Sequence, residues 1–163
     1  MEETRAIYFE YDNNIELISF GSFALCMYYA TQLNIEKAKK MLEATMSEWN
    51  FRVEYDLSKE DLTSDNENAH FVVSEIQETI IFLENEVIPS LINETQDLLF
   101  KYGGKSNFVN LYYNSVEYLK FNGINQNEYY DSDNKTLAHY MTRLKMILQH
   151  SISTNRPCIV YVK

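Results

Sequence analysis

The longest stretch of helical periodicity in the chain runs from residue 69 to residue 102. Its large aliphatic residues recur at intervals of three and four, which places them on one stripe of a helical wheel. The stripe consists of Val73, Ile76, Ile80, Leu83, Val87, Leu91 and Leu98. A second apolar group beside it consists of Ile81, Ile88, Ile92 and Leu99. A helix that is apolar over so much of its surface must be covered by other elements. The pattern therefore predicts a central helix over residues 69–102.

One strip of this helix stays polar, and it combines carboxylates with aromatic side chains. Glu75, Glu78 and Glu86 project onto the strip, as do Phe71 and Phe82. A phenylalanine in such a position is either covered by a loop or another helix, or exposed as an aromatic anchor for a partner. An anchor that is ringed by carboxylates suits a basic partner.

Proline and glycine mark the interruptions of the predicted central helix. Pro89 lies inside the run, where it removes one backbone hydrogen bond and clashes with the preceding turn, so we expect a kink or two abutting helices. Gly103 and Gly104 predict a left-handed stop at the end. The polar residues 58–68 predict an exposed loop that leads into the helix.

Residues 5–12 alternate in a stretch rich in β-branched and aromatic side chains, and Asn13 and Asn14 follow as turn residues. We expect a hairpin in which residues 15–20 return as the second strand. The alternative is a single strand that runs into a helix at Ile15.

Further helices and strands are indicated on both sides of the central helix. Helical spacing predicts helices over residues 23–33, 35–48, 107–121 and 135–151. Alternation or β-branched composition predicts strands over residues 50–57 and 158–162. The predicted fold is a single α+β domain over residues 1–163. It has a small, mainly antiparallel sheet, made of the N-terminal hairpin, the strand near 50–57 and the C-terminal strand, packed with about five helices around the central helix.

Composition narrows the setting in which the chain works. It has 163 residues, with no apolar run long enough for a membrane span. The start of the chain lacks the basic and apolar segments of a signal peptide. We therefore expect a cytoplasmic protein that does not bind membranes. Cys26 and Cys158 lie in apolar surroundings, where buried free thiols are the default.

Charge is the most informative property of the composition. The net charge is −10, and residues 54–97 contain 12 acids and a single base, Lys59. Residues 98–163, in contrast, contain 4 acids and 8 bases. A dense acidic block repels nucleic acid and anionic lipid and attracts basic surfaces. The dispersed bases of the last third give no support to nucleic-acid binding, although DNA mimicry by carboxylates is compatible with the block.

The chain contains no recognised catalytic or metal-binding motif. His139 and Arg143 are one helical turn apart but belong to no known arrangement. Residues 56–67 resemble a calcium loop in their acids, but Asp61 occupies the position of the glycine that makes the sharp turn. We therefore expect no catalytic residue, no metal and no cofactor.

By elimination, the sequence favours a non-enzymatic acidic protein that neutralises a basic partner protein. An immunity protein against a toxin, or a phage-type inhibitor of a host enzyme, fits this description. In the expected mechanism, carboxylates pair with the partner's Lys and Arg while an aromatic side chain fills a pocket. The expected contact residues are Glu75, Glu78, Phe82 and Glu86, with Asp61, Asp65 and Glu67 at the rim. The alternatives are a small enzyme whose site is assembled from distant residues, and a structural subunit of a homo-oligomer.

Overall fold

The computed structural model describes residues 4–58, 71–116, 119 and 123–163. It contains an antiparallel sheet with the strand order β2-β1-β3, so that the first strand lies in the middle. The strands are β1 (Ala6–Tyr11), β2 (Asn14–Ser19) and β3 (Ile159–Val162). The helices are α1 (Phe20–Leu33), α2 (Ile35–Glu54), α3 (Val73–Phe82), α4 (Ile88–Asn93), α5 (Leu98–Lys101), α6 (Lys105–Tyr113) and α7 (Asn134–Thr154). The predicted α+β class, with a small antiparallel sheet, is confirmed.

The predicted N-terminal hairpin is present, but its two-residue turn lies at Asp12 and Asn13, one residue earlier than the predicted turn at Asn13 and Asn14. Both residues have positive φ, 44° and 65°, as a type I′ turn requires, and the twist of that turn matches the twist of paired strands. On the inner face of the sheet, Ile7, Phe9 and Ile18 are almost fully buried. The alternation of the sequence therefore sets which face of the hairpin meets the helices.

The predicted strand over residues 50–57 is wrong, because α2 continues to Glu54. Phe51 and Tyr55 are four residues apart, a spacing that puts two side chains on the same side of a helix. Their ring centres lie 4.8 Å apart. A strand here would place Val53 and Tyr55 together on one half-buried face, whereas they are 61% and 60% exposed. The alternation of apolar and polar residues over positions 50–57 does not exclude a helix. The helix is favoured by the hydrogen bond between Glu48 and the distant Val160 N–H.

The central helix is shorter than predicted and ends at Asn93. It consists of α3, a π-helical turn at Leu83–Val87 and α4, and the backbone stays right-handed helical at both junctions. Pro89 lies at the start of α4, so its missing N–H falls where the wider turn already interrupts regular hydrogen bonding. The expected irregularity at Pro89 is thus present as a π turn.

Residues 94–97 leave the helix, and α5 follows as a single short turn. The buried side chain of Asn134 holds this connection, because its Nδ2 donates to the Gln96 carbonyl at 2.6 Å and its Oδ1 accepts from the Leu98 N–H at 3.1 Å. After α5, Gly103 and Gly104 have positive φ, which confirms the predicted left-handed stop.

The last two helices were predicted with different accuracy. Helix α6 covers residues 105–113 and ends before the predicted residue 121. Helix α7 begins at Asn134, one residue before the predicted start at residue 135, and Asp133 caps it by accepting a hydrogen bond from the Lys135 N–H. It packs against α3, the π turn and α4, while α2 packs on α3 and on β3. Within the described ranges, no helix has both the length and the hydropathy that crossing a bilayer requires.

Candidate functional site

A cleft of about 320 Å³ lies between α2 and α3. Its lining combines acidic, basic and apolar side chains: Glu36, Lys37, Lys40, Glu78, Thr79, Ile81 and Phe82. Helix α2 presents its polar face here because Ala38 and Met41 point into the core, which leaves Lys37 and Lys40 outward. Helix α3 supplies the acidic wall. We refer to this feature as the α2–α3 cleft.

Two of the predicted contact residues are already paired with lysines of the chain itself. Lys40 Nζ lies 2.9 Å from Glu78 Oε2, and Lys37 Nζ lies 2.7 Å from Glu86 Oε2. All four side chains are at least one-third exposed, so these are surface ion pairs, which water and salt weaken. The two lysines therefore pair with Glu78 and Glu86, but both carboxylates stay in contact with solvent.

The charge around Lys40 remains acidic. The hydrogen bond to Glu78 and the charge of Glu78 raise the pKa of the Lys40 ammonium, and the charges of Glu75 and Glu36 raise it further. Glu36 and Glu75 have no ion pair with any residue that the structure describes. No Lys or Arg occurs anywhere in residues 71–97. The two acids and two bases that line the cleft sum to zero, and Glu75 and Glu86 beside it bring this surface to a net charge of −2. Glu36 and Glu75 remain available to an external cation.

The expectation that Phe82 anchors a partner is wrong. Its side chain is 1% exposed and belongs to the core, because the residue points inward between α2 and α3. Lys37 Nζ lies 5.9 Å from the centre of its ring, on the cleft side. Ile81, the neighbouring residue, is 57% exposed and lines the cleft, so it supplies the apolar contact that was expected from Phe82. Phe71 is half-buried against the core.

Of the remaining predicted contacts, Glu75 lies beside the cleft and the others fall outside the described residues. Glu75 is half-buried at the start of α3, next to Lys40. Asp61, Asp65 and Glu67 lie outside the described residues, as does most of the predicted loop over 58–68. The structure thus gathers Glu75, Glu78 and Glu86 along one helix and leaves the expected rim undescribed.

Sequence reasoning missed the cleft's opposite wall. The prediction of a helix over residues 35–48 assigned Glu36, Lys37 and Lys40 to no site. Residues 37 and 40 lie one helical turn apart on α2, but the acids with which they pair, Glu86 and Glu78, are eight residues apart, so no spacing in the sequence signals the pairing. Nothing local to α2 identifies α3 as its neighbour.

A second cleft of about 200 Å³ lies between the turn end of the hairpin and the end of α7. It collects groups from distant parts of the chain: Glu10, Tyr11, Asp12, Glu48, His150 and Cys158. His150 Nε2 lies 3.1 Å from Asp12 Oδ2, and the Cys158 thiol donates to the Glu10 carbonyl at 3.1 Å. This is the kind of assembly that the enzyme alternative requires.

The reactive groups of the second cleft are held in unreactive states. Burial, with the nearby charges of Glu48 and Glu10, raises the pKa of Cys158 to about 12, so its nucleophilic thiolate is scarce at neutral pH. The Glu48 carboxylate is 1% exposed and is bound by Arg52 and by the Val160 N–H. Its hydrogen bonds join α2 to β3, which is a structural role. The predicted candidates His139 and Arg143 do not line this cleft.

Within the part of the chain that the structure describes, no group of three or more His, Cys, Asp or Glu side chains is arranged to hold a metal ion. Cys26 and Cys158 are free thiols, buried and half-buried respectively, as expected. The chain matches no known protein family, and neither a curated protein nor a solved structure matches it.

Proposed function

We propose that the chain is a non-enzymatic acidic binding protein that neutralises a basic partner protein through the α2–α3 cleft. The observation that carries this proposal is a cleft lined by one predicted contact residue, Glu78, and by the exposed apolar side chain of Ile81. Two more predicted contact residues, Glu75 and Glu86, lie beside it next to Lys40 and Lys37. Charged walls beside an exposed aliphatic residue suit a partner that presents Lys or Arg next to an apolar side chain.

The mechanism is blockade by charge exchange. The partner's cations first meet Glu36 and Glu75, which have no ion pair within the described residues. They then compete with Lys40 for Glu78 and with Lys37 for Glu86. Because both internal pairs are exposed, their replacement costs little. An apolar side chain of the partner packs on Ile81 as water leaves the cleft.

An immunity protein against a toxin, or a phage-type inhibitor of a host enzyme, has this kind of task. A strongly acidic binder associates rapidly with a basic target, because long-range attraction steers the encounter. The net charge of −10 supports such steering. On this proposal the association rate falls steeply as salt is added.

The test is affinity capture with two double charge reversals that have equal net charge. Glu75→Lys with Glu78→Lys changes the cleft, whereas Glu54→Lys with Asp97→Lys changes exposed acids elsewhere. Immobilised proteins are incubated with lysate of the source cells at low and high salt, and retained proteins are identified and purified. The purified protein is then titrated against each variant, with melting temperatures measured to verify folding.

The proposal predicts one basic protein that binds the wild type and the control reversal with similar affinity. It also predicts at least tenfold weaker binding to the cleft reversal, since several ion pairs become repulsive. If the two reversals weaken binding equally, binding reflects net charge alone and the cleft is not the site. Retention of no protein by the wild type in preference to the cleft reversal contradicts the proposal.

A further inference from the structure

The outer side of β2 is an open edge of the sheet. The residues that flank a two-residue turn, here Tyr11 and Asn14, form a hydrogen-bonded pair. Along the two strands, every second pair of opposite residues is then hydrogen-bonded. The Phe20 N–H donates to the Arg5 carbonyl at 2.9 Å, which continues this pattern beyond β2. The intervening residues of β2 therefore direct their N–H and C=O groups away from β1. These residues are Ile15, Leu17 and Ser19.

The charged residue of strand β2 is Glu16, which lies on the inner face and contacts Arg143, so no charged side chain protects the outer face of this edge. The strand contains no Lys and no Pro, and no described strand pairs with its outer side. Ile15 is 59% exposed and Leu17 is 51% exposed. Leu17 is paired with Tyr8, whose ring stacks on Tyr161 at 4.9 Å, so apolar and aromatic side chains continue across the open face of the sheet. An exposed apolar edge of this kind is a template for another strand.

The edge is complementary to itself in one register. An antiparallel pairing centred on Leu17 places Leu17 opposite Leu17 of the second copy, and Ile15 opposite Ser19. All outward backbone groups then find partners, and the apolar side chains of both copies fall on the same face. In this register Glu16 faces Ile18 of the second copy. A pairing centred on Glu16 brings the two Glu16 side chains directly opposite each other, which is unfavourable.

The inner side of the same edge offers a further apolar group. Arg143 Nη2 lies 3.7 Å from Glu16 Oε1, and His150 Nε2 lies 3.1 Å from Asp12 Oδ2. Both contacts come from α7, so this helix reaches the hairpin at β2 and at its turn. Met146 lies between Arg143 and His150 on α7, with the spacing of one helix face, and it is 59% exposed. Met146 therefore lies on the face of α7 that contacts the hairpin, on the side of the sheet opposite Leu17.

We infer that two copies of the chain associate edge to edge through β2, with a two-fold axis at Leu17, so that the two sheets join into one continuous sheet. Backbone hydrogen bonds join the two β2 strands. The apolar side chains of Ile15 and Leu17 are buried on one face of the joined sheet, and that of Met146 is buried on the other. This interface is separate from the α2–α3 cleft and does not depend on the proposed function.

Sedimentation velocity of the full chain, from low to high micromolar concentration, tests the association. Leu17→Lys places a charge on the edge, and Ile92→Lys is the matched control, since Ile92 is 56% exposed on α4 and lies away from the sheet. We expect a concentration-dependent dimer for the wild type and the control, and at least a tenfold weaker dimer for Leu17→Lys. Circular dichroism verifies that each variant is folded.

Cysteine cross-linking tests the register and does not require the charged variant to fold. The Cα atoms of a hydrogen-bonded antiparallel pair lie about 5.5 Å apart, a separation that a disulfide spans. In a Cys158→Ala background, Leu17→Cys is therefore expected to form a covalent dimer under mild oxidation. Ile15→Cys is expected to form none alone, because four residues of strand separate the two positions by about 13 Å, and to cross-link when mixed with Ser19→Cys.

Three results overturn the inference. The first is a wild-type chain that remains monomeric at every concentration. The second is a dimer that Leu17→Lys leaves intact, which assigns the association to another surface. The third is a dimer in which Leu17→Cys does not cross-link, or in which Ile15→Cys cross-links to itself, since either result excludes the two-fold axis at Leu17.

Discussion

Removing the Glu48 carboxylate is expected to destabilise the fold more than removing any exposed acid. The side chain is buried in α2 and accepts hydrogen bonds from Arg52 Nε, from Arg52 Nη2 at 3.2 Å and from the Val160 N–H at 2.7 Å. Arg52 Nη2 also donates to the Val160 carbonyl at 2.5 Å. One carboxylate thus satisfies a buried guanidinium and joins α2 to β3.

The magnitude follows from what Glu48→Ala leaves behind. The Val160 N–H loses its acceptor in a position that is 2% exposed, and Arg52, which is 9% exposed, loses its counter-charge. Removal of one member of a buried ion pair costs about 3–5 kcal/mol. Since domains of this size are stable by roughly 5–15 kcal/mol, the loss is a large share of the total. Urea unfolding followed by circular dichroism measures it, and Glu78→Ala, which removes an exposed acid of an ion pair, is the matched control.

Arg52→Met is expected to cost less than Glu48→Ala at low pH, because a carboxyl group is able to take up a proton whereas a guanidinium stays charged. Burial already raises the pKa of Glu48 above its ordinary value of 4.5, against the opposing effect of Arg52. Without Arg52 that pKa rises further, so the folded state binds a proton that the unfolded state has released. The stability of Arg52→Met therefore falls as pH rises above 4.5.

Equal urea midpoints for Glu48→Ala and Glu78→Ala would falsify the structural role assigned to Glu48.

The remaining predictions concern packing, a loop tether and alkaline pH. Gly21→Ala is expected to destabilise the fold by about 1–3 kcal/mol, although alanine favours helices, because the added Cβ meets the Tyr129 carbonyl oxygen at 2.4 Å; an increased melting temperature contradicts this. Asn134→Ala is expected to cost about 1–3 kcal/mol and to speed hydrogen exchange in residues 94–98, and unchanged exchange rates contradict the tether. Burial raises the pKa of Cys158 from 9.0 and of Tyr140 from 10.0, each to about 12, so the folded state keeps protons that the unfolded state releases. Unfolding free energy is therefore expected to fall between pH 9 and 12, and a constant urea midpoint over that range contradicts the assignment.

Local chemistry explains the parts of the fold that the sequence predicted well. The hairpin is specified by alternation and by Asp12 and Asn13, residues that tolerate positive φ. Asn34 caps α2 by accepting a hydrogen bond from the Lys37 N–H at 3.0 Å, and Asp133 caps α7 in the same way. In each case the decisive contacts lie within a few residues of one another, so the pattern and the structure agree.

Contacts between distant residues explain the errors. Residues 50–54 remain helical because Glu48 and Arg52, one turn apart on α2, bind β3 more than one hundred residues later. The burial of Phe82 and the pairing of Lys40 with Glu78 both depend on the packing of α2 against α3. Periodicity identified each helix and its polar strip, but it contains no information about which strip meets which.

Hydrogen exchange of the chain with and without its captured basic partner is the most direct test of the proposed interaction site. The account predicts that slowed exchange on binding is concentrated in residues 36–40 and 75–87, the two walls of the α2–α3 cleft, and that the protection weakens with added salt. Protection that falls instead on the hairpin or on α7, with residues 75–87 unchanged, would contradict the assignment of the cleft as the binding surface.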